Sequence, residues 1–173
     1  MGKPIAVIAV DPGKRTGVAE WLESPGEAVK VTADWNPFRS CEFEVNEFFD
    51  FIHERVHSLV GAGYDVRLVS ESFIITINTA KNTQAGWSLE LIGVLKFLAH
   101  RYQLADVKLQ APSVGKTFGT NGKLKYLGWF KARNVDGVRY DGHANDASRH
   151  LATYAAQRGL IFTKQQLVDM ADV

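Results

Sequence analysis

Three acidic residues occupy positions where a carboxylate is a poor choice for packing. Asp11 ends an apolar, β-branched run, Glu71 ends a second such run, and Asp146 lies in the first turn of a late helical segment, three residues after His143. Aspartate is depleted from strands, and an unpaired carboxylate is costly to bury. Clustered carboxylates repel one another unless a cation lies between them. These residues are therefore candidates for a metal site.

Each carboxylate also has an ordinary explanation when it is taken alone. Asp11 could begin an Asp-Pro-Gly turn, Glu71 could point into solvent, and the helix dipole favours Asp146 in a first turn. The order of the elements favours a shared site. If the first and fourth strands are neighbours, Asp11 and Glu71 lie side by side, and a helix on that sheet can present His143 and Asp146 from one face.

The types of donor atom indicate which metal such a site would prefer. Carboxylate oxygens with at most one imidazole favour Mg²⁺ or Mn²⁺ over zinc, and two such ions support in-line displacement at phosphorus. Cys41 is the one cysteine, so neither an internal disulfide nor a cysteine zinc cluster can form. A zinc site that includes His150 lacks the glutamate of a zinc-protease helix, so His150 is expected to pack below the site or to face solvent.

Hydrophobic periodicity predicts an α/β protein whose elements could bring these residues together. We expect a mixed five-stranded sheet, with a three-strand antiparallel meander followed by parallel strands, flanked by helices. The length favours a single domain over residues 1–173. The predicted strands are 4–10, 16–22, 27–35, 66–70 and 107–110, and the predicted helices are 40–60, 83–102, 124–132, 143–157 and 164–171.

Charge is unevenly distributed, although the net charge is only +1. Residues 111–140 contain six basic residues and one acidic residue, with aromatic residues between them. Such a segment is typical of a surface that faces a polyanion, and a solvated surface is the alternative. The apolar run near the N-terminus is too short for a membrane span and unlike a signal peptide, so we expect no membrane association and a cytoplasmic location.

Four motifs in this order resemble those of the RuvC-like Holliday-junction resolvases, within the RNase H-like superfamily. They are Ile8-Ala-Val-Asp11-Pro-Gly13-x-x-x-Gly17, Val69-Ser-Glu71, Ala111-Pro112 with Lys116, and Gly142-His143-Ala-Asn-Asp146-Ala147, within residues 5–158. The resemblance implies an RNase H-like fold, two Mg²⁺ or Mn²⁺ ions in each active site, a homodimer and hydrolysis of branched DNA. It implies that Asp11, Glu71, His143 and Asp146 are the metal ligands and the catalytic residues.

Two departures from the family pattern leave the shape of the DNA open. An aromatic residue often stands three positions after the glutamate, where this chain has Ile74, with Phe73 one position earlier, and residues 117–140 are hard to align. A crossover-junction endodeoxyribonuclease is the first expectation. A phage or bacterial relative that cuts flaps, forks or ends would carry the same motifs, and a non-catalytic DNA-binding module of this fold is the alternative from another class. The residues expected to contact DNA are Lys14, Arg15, Phe73, Lys81, Lys116, Lys123 and Lys125.

Two phosphate-binding motifs compete with this interpretation. Gly115-Lys116-Thr117 resembles the end of a P-loop, but the required glycine is replaced by Gln110. The residues around Asp11 and Gly17 also resemble the phosphate loop of actin-like ATPases. Those proteins pair two RNase H-like domains, whereas this chain has room for one, so no nucleotide cofactor is expected. The apolar helix 83–102 is the expected dimer surface, and the alternative is that its apolar stripe packs entirely within the chain.

Overall fold

The computed structural model describes residues 2–23, 38–73, 84–135, 137–160 and 168–169. Five strands form the central sheet, in the spatial order third, second, first, fourth and fifth. The first two pairings are antiparallel, and the first strand then runs parallel to the fourth and the fourth parallel to the fifth. The predicted mixed sheet is confirmed. Its strands are β1 (Ile5–Asp11), β2 (Arg15–Leu22), β3 (Phe38–Glu44), β4 (Asp65–Glu71) and β5 (Lys108–Gln110).

The third strand of the meander differs from its prediction. The predicted strand 27–35 lies outside the described residues, and β3 instead includes residues 40–44, which were predicted to be helical. Helix α1 (Val45–Gly61) begins after Glu44, which forms a reciprocal capping box with Glu47. Phe43 had been counted in the helical stripe, but it lies on β3 and stacks on Phe51 at 4.4 Å. Pairing with β2 thus overrides the apparent helical period.

Two long helices agree with the sequence, whereas the segment between them and the last helix is more structured than expected. Helices α2 (Gln84–Arg101) and α5 (His143–Arg158) lie where they were predicted. The single short helix predicted at 124–132 is wrong. The structure instead has α3 (Pro112–Phe118), α4 (Asn121–Tyr126) and a hairpin of β6 (Asn134–Val135) and β7 (Val138–Arg139).

Local sequence explains these shorter elements. Pro112 occupies the first turn of α3, where the missing N–H is tolerated, and the side chain of Thr120 accepts a hydrogen bond from Lys123 N at the start of α4. The predicted helix 164–171 lies outside the described residues apart from 168–169. In the part of the chain that is described, no helix combines the length and hydrophobicity that crossing a membrane requires.

Alternate residues of the sheet face two different layers of helices. On β1, Ile8 and Val10 join the core formed with α1 and α2, whereas Val7 and Ala9 join the core formed with α5. Side chains alternate between the faces of a strand. Asp11 therefore belongs to the face that α5 covers. By the same alternation, Glu71 shares that face with Val69 of β4.

Candidate active site

Five residues form a line across the sheet on the face that α5 covers. Asp11 is paired with Gly17, Gly17 with Glu42, and Glu71 with Gln110. Val10 pairs with Ser70 in the parallel ladder, so Asp11 and Glu71 occupy the next positions of adjacent strands. We call this line the cross-strand row; from β3 to β5 its members are Glu42, Gly17, Asp11, Glu71 and Gln110. The strand ends thus place the two predicted carboxylates next to each other.

Glu42 holds the start of α5 against one end of the row. Its side chain is 1% exposed, and its carboxylate accepts hydrogen bonds from the backbone N–H groups of Asp141, Gly142 and Ala144 at 2.9–3.1 Å. A carboxylate at a helix N-terminus satisfies unpaired N–H groups and interacts favourably with the helix dipole. Gly142 has φ 106° and supplies no side-chain cap, so Glu42, on a distant strand, takes that role.

Gly17 allows the first residue of α5 to approach the sheet. A Cβ atom added at Gly17 would lie 2.0 Å from the carbonyl oxygen of His143. Only glycine permits such an approach of one backbone to another. Because Gly17 is paired with Asp11, the same contact brings His143 beside that carboxylate, and His143 Nδ1 lies 2.8 Å from Asp11 Oδ2.

The pKa values of Asp11 and His143 are both raised, and they indicate that His143 does not fully compensate the charge of Asp11. Burial raises the pKa of Asp11, the hydrogen bond from His143 opposes that rise, and the charges of Glu71 and Asp146 add to it. The hydrogen bond to Asp11 raises the pKa of His143, against the effect of burial. Asp11 thus lies within electrostatic range of both other carboxylates.

The two remaining carboxylates pair with other side chains of α5. His150 Nε2 lies 2.8 Å from Glu71 Oε2, and Arg149 forms an ion pair with Asp146. Of the two expectations for His150, exposure to solvent is wrong and burial beside the site is correct, because the residue is 1% exposed and contacts the predicted ligand Glu71 directly. Helix α5 therefore supplies a nitrogen-bearing partner to all three carboxylates.

Within the described part of the chain, no three His, Cys, Asp or Glu side chains are grouped so that they could hold one metal ion as they stand. The side chains form separate pairs instead. The donors still fit Mg²⁺ or Mn²⁺, because carboxylate oxygens dominate the set. Burial is the main cause of the raised pKa of Asp11, and the charges of Glu71 and Asp146 add a repulsion that a bound cation would relieve.

The residues predicted to contact DNA differ in the solvent exposure of their side chains. Lys14, Lys116 and Lys125 are exposed, and Lys123 is half-buried. The ammonium groups of Lys123 and Lys125 lie 5.1 and 5.2 Å from the ring centres of Phe118 and Phe130. These cation–π contacts orient both lysines at the surface of α4.

Two of the other predicted DNA contacts, Arg15 and Phe73, are described by the structure. Arg15 is an ion-pair partner of Glu42, at 3.1 Å, and of Asp141, at 3.5 Å, and it joins β2 to the start of α5. Phe73 is half-buried two residues after Glu71, and Lys81 lies outside the described residues. Ser88 Oγ donates to the carbonyl of Pro12 at 2.8 Å, so the first turns of α2 lie beside the turn that follows Asp11.

Sequence reasoning missed Glu42, Arg149 and the contact made by His150. Glu42 had no signal because β3 was assigned to a helix and its contacts are about a hundred residues away in sequence. Arg149 follows Asp146 by three positions, a spacing that predicts an ion pair on one helix face. His150 follows His143 by seven positions, about two turns, so a shared orientation toward the sheet could have been inferred.

Comparison with known proteins adds evidence on the fold. No family model matches the sequence, and no curated protein matches it. The structure is similar to Thermus thermophilus RuvC, with a TM-score of 0.52 and 18% identity over 90% of this chain and 98% of that one. For T. thermophilus RuvC in complex with a Holliday junction substrate, the TM-score is 0.50 and the sequence identity is 17%, over 90% of this chain and 97% of that one. The chain therefore has a RuvC-like, RNase H-like fold.

Proposed function

We propose that this chain is a divalent-metal-dependent, structure-specific DNA endonuclease that resolves Holliday junctions or other branched DNA by phosphodiester hydrolysis. It would use two Mg²⁺ or Mn²⁺ ions in each active site. The observation that carries the proposal is the adjacency of Asp11 and Glu71 on one face of the sheet, with His143 against Asp11 and the Asp146 charge acting on it. The RuvC-like fold supports it.

Asp11, Glu71, Asp146 and His143 would hold the ions. Bound there, the ions would lower the pKa of water and stabilise charge on the phosphate oxygens. Asp11 and Asp146 would orient the water for in-line attack. The His143 side chain is 38% exposed, and its Nδ1 is hydrogen-bonded to Asp11, which leaves Nε2 either to hold an ion or, in place of that role, to move a proton between the water and the leaving oxygen.

The DNA backbone would lie along the basic surface near this edge of the sheet. Lys14 follows Asp11 on the adjacent turn, and Lys116, Lys123 and Lys125 lie on α3 and α4. Lysines bind phosphates by releasing counterions, so affinity should fall steeply with salt concentration. Phe73 would stack on an unpaired base, and Arg15 would contact a phosphate from its position beside Glu42.

The single-domain chain 1–173 would act as a homodimer, which suits paired cuts in a four-way junction. Leu89 and Phe97 are 44% and 61% exposed, and they lie four residues on either side of Gly93 along α2. We propose this side of α2 as the dimer surface. Phe97→Asp should convert the dimer to a monomer in light-scattering measurements.

Cleavage of a DNA panel tests the function directly. Four-way junctions, forks, flaps, duplex and single strands would be incubated with Mg²⁺ or Mn²⁺, with and without EDTA. Paired symmetrical nicks in four-way junctions that EDTA abolishes would support a junction resolvase. Preference for flaps, forks or ends would indicate an RNase H-like nuclease of another specificity. Metal-independent binding without cleavage would indicate a non-catalytic DNA-binding module and overturn the proposal.

Substitution of the carboxylates assigns the reaction to this site. Asp11→Asn and Asp146→Asn should each lower cleavage by about a thousandfold, the effect of losing roughly 4 kcal/mol of transition-state stabilisation, while DNA binding is retained. Asp65→Asn is the matched control, because Asp65 lies at the opposite end of β4, where it pairs with Arg67. Wild-type cleavage by both site variants would overturn the assignment.

A further inference from the structure

A buried histidine of α5 connects the last two members of the cross-strand row. His150 Nε2 lies 2.8 Å from Glu71 Oε2, and His150 Nδ1 lies 2.8 Å from Gln110 Oε1. His150 and Gln110 are 1% and 4% exposed, whereas the Glu71 side chain is 24% exposed. The imidazole thus lies behind the carboxylate, on the side away from solvent.

The direction of the hydrogen bond to Glu71 does not depend on how the Gln110 amide is turned. With Gln110 Oε1 toward the ring, both ring nitrogens of His150 face acceptors, and Gln110 Nε2 is buried without a partner. With the amide rotated by half a turn, Gln110 Nε2 donates to Nδ1 and His150 is the neutral Nε2–H tautomer. In both arrangements Nε2–H donates to Glu71, because a carboxylate can only accept.

The fold provides a slot for this ring. A Cβ atom added at Gly115 of α3 would lie 3.0 Å from His150 Cε1 and 3.2 Å from both ring nitrogens. Gly115 therefore leaves the space that the imidazole fills, which gives a structural role to a glycine whose P-loop interpretation fails. Packed on one side by α3 and held at both nitrogens, the ring is fixed in orientation.

This arrangement holds one carboxylate oxygen of Glu71 and leaves the other without a hydrogen bond in the described part of the chain. Oε2 accepts from His150, while Oε1 has no hydrogen-bond partner among residues 2–23, 38–73, 84–135, 137–160 and 168–169. A residue that donates to one oxygen of a ligand fixes the rotamer in which the other oxygen faces the ion, and such partners typically change metal affinity or activity about 10–100-fold.

We infer that His150, oriented by Gln110, is a positioning residue that holds Glu71 for divalent-metal binding through a Nε2–H···Oε2 hydrogen bond. The inference rests on the proposed function, since it assumes that Glu71 is a metal ligand. In this inference His150 affects metal binding by holding Glu71 and does not itself bind the metal. The relevant effect is therefore one that should disappear when Glu71 can no longer bind metal.

A double-mutant cycle with Mn²⁺ alone as the probe tests this coupling. Mn²⁺ affinity of the full chain, measured by calorimetry without DNA, would be compared for wild type, His150→Leu, Glu71→Gln and the double variant. We expect His150→Leu to weaken binding about tenfold or more in the wild type and less than about twofold when Glu71→Gln is already present. Cleavage should show a lower kcat with an unchanged KM for DNA.

Three further variants separate positioning from general damage. His150→Gln retains an N–H donor and should recover most of the affinity. Gly115→Ala keeps His150 but crowds its ring, and should weaken Mn²⁺ binding in the wild type and not with Glu71→Gln. Ser148→Ala is the control, because Ser148 is buried on the same helix and, among the residues that the structure describes, its hydroxyl bonds only to Ala144 O within that helix. Thermal unfolding would be recorded for each variant.

The outcomes distinguish this inference from the proposed function. Equal losses from His150→Leu with and without Glu71→Gln would show that His150 acts through the fold, and would overturn the inference. Unchanged affinity in His150→Leu would also overturn it. If wild type and Asp11→Asn bind Mn²⁺ equally weakly and neither cleaves DNA, the proposed function itself fails. Normal wild-type binding that Asp11→Asn abolishes, with no effect of His150→Leu, would remove this inference alone.

Discussion

Helices α1 and α2 cover one face of the sheet with large apolar side chains such as Phe48, Ile52 and Leu95, whereas α5 covers the other with small ones such as Ala147 and Ala152. The helices also differ in buried polar residues, because among the described side chains α1 and α2 have Ser88 alone, whereas α5 has four. Within α5 they are Asn145, Ser148, His150 and Thr153. Small side chains let a helix lie close to the sheet, and buried polar groups must then find fixed partners. The α1–α2 face therefore mainly buries apolar surface, whereas the α5 face holds polar side chains in fixed positions.

Charged residues show the same difference. On the α1 face, Glu20 accepts two hydrogen bonds from Arg55, at 2.6 and 2.5 Å, and this pairing raises the pKa of Arg55. On the α5 face, burial raises the pKa of Asp11, and two neighbouring carboxylates add to the rise. A bidentate pair is internally complete, whereas the ionised form of Asp11 is disfavoured by burial and by the charges of Glu71 and Asp146, which a bound cation would offset.

Among changes outside the proposed metal ligands, the largest expected effect comes from moving α5 away from the sheet. Gly17→Ala places a Cβ atom 2.0 Å from the carbonyl oxygen of His143, so the start of α5 must shift. We expect a loss of about 1–3 kcal/mol in the free energy of unfolding. Misplacing reacting groups by about 1 Å should lower cleavage roughly a hundredfold. Denaturant unfolding and single-turnover cleavage would measure the two effects.

A second glycine supplies the control for this change. Gly61, at the end of α1, has no atom within 4 Å of an added Cβ, so Gly61→Ala should leave both measurements nearly unchanged. Normal cleavage by Gly17→Ala would mean that the close approach of α5 to β2 is not needed for the site.

Breaking the pair on the α1 face should affect stability and not chemistry. Arg55→Met leaves Glu20, which is 5% exposed, without its partner. Because the Arg55 side chain is itself partly exposed, we expect a loss of roughly 1–3 kcal/mol, less than for a fully buried pair. Urea unfolding would measure the loss, and cleavage below the unfolding transition should stay at the wild-type rate. A fall in cleavage comparable to that of Gly17→Ala would contradict the separation of the two faces.

Weakening the contact between Glu42 and the start of α5 should have an intermediate effect on stability and on cleavage. Glu42→Gln keeps the size of the side chain but removes its charge and one acceptor for the N–H groups of Asp141, Gly142 and Ala144. We expect a loss of about 1 kcal/mol in the free energy of unfolding. Cleavage should fall several-fold through displacement of His143. Glu47→Gln, in the capping box of α1, is the matched substitution and should leave cleavage unchanged.

The smallest expected effect is a gain in stability. A raised Asp11 pKa means that its contribution to stability is present below the unfolded value, near pH 3.9, and is lost as the pH rises through the folded value. The raised pKa of His143 gives a contribution that is complete below about pH 6.5 and is lost above its folded pKa. In EDTA, both contributions are absent from the wild type once the pH exceeds both folded pKa values.

The amide side chain introduced by Asp11→Asn cannot ionise. Without metal, this variant should therefore be more stable than the wild type at high pH. The difference should shrink as the pH falls and protonated His143 again stabilises ionised Asp11. Thermal unfolding in EDTA between about pH 6 and 9 would test the sign. A variant less stable than the wild type at the upper end would show that Asp11 contributes to folding in the same way as Glu20.

Much of this architecture follows from local patterns in the sequence. The apolar runs of β1 and β4 were predictable, as was the helix that begins at His143, because each has a clear period and clear ends. The strand β3 was assigned to a helix, since Phe43 fits a helical stripe with Phe51 when pairing with β2 is unknown. The helices α3 and α4 and the β6–β7 hairpin were too short for periodicity to identify.

The sequence by itself determined which residues could do chemistry and that two of them end predicted strands, whereas the pairing of those strands came from the tertiary structure. Tertiary structure decided which partner each one has: His143 for Asp11, His150 for Glu71 and Glu42 for the start of α5. These contacts join residues 79 to 132 positions apart, and they depend on strand order and on the close approach of α5 at Gly17. Local propensity carries no information about such contacts, because they arise only when distant elements pack.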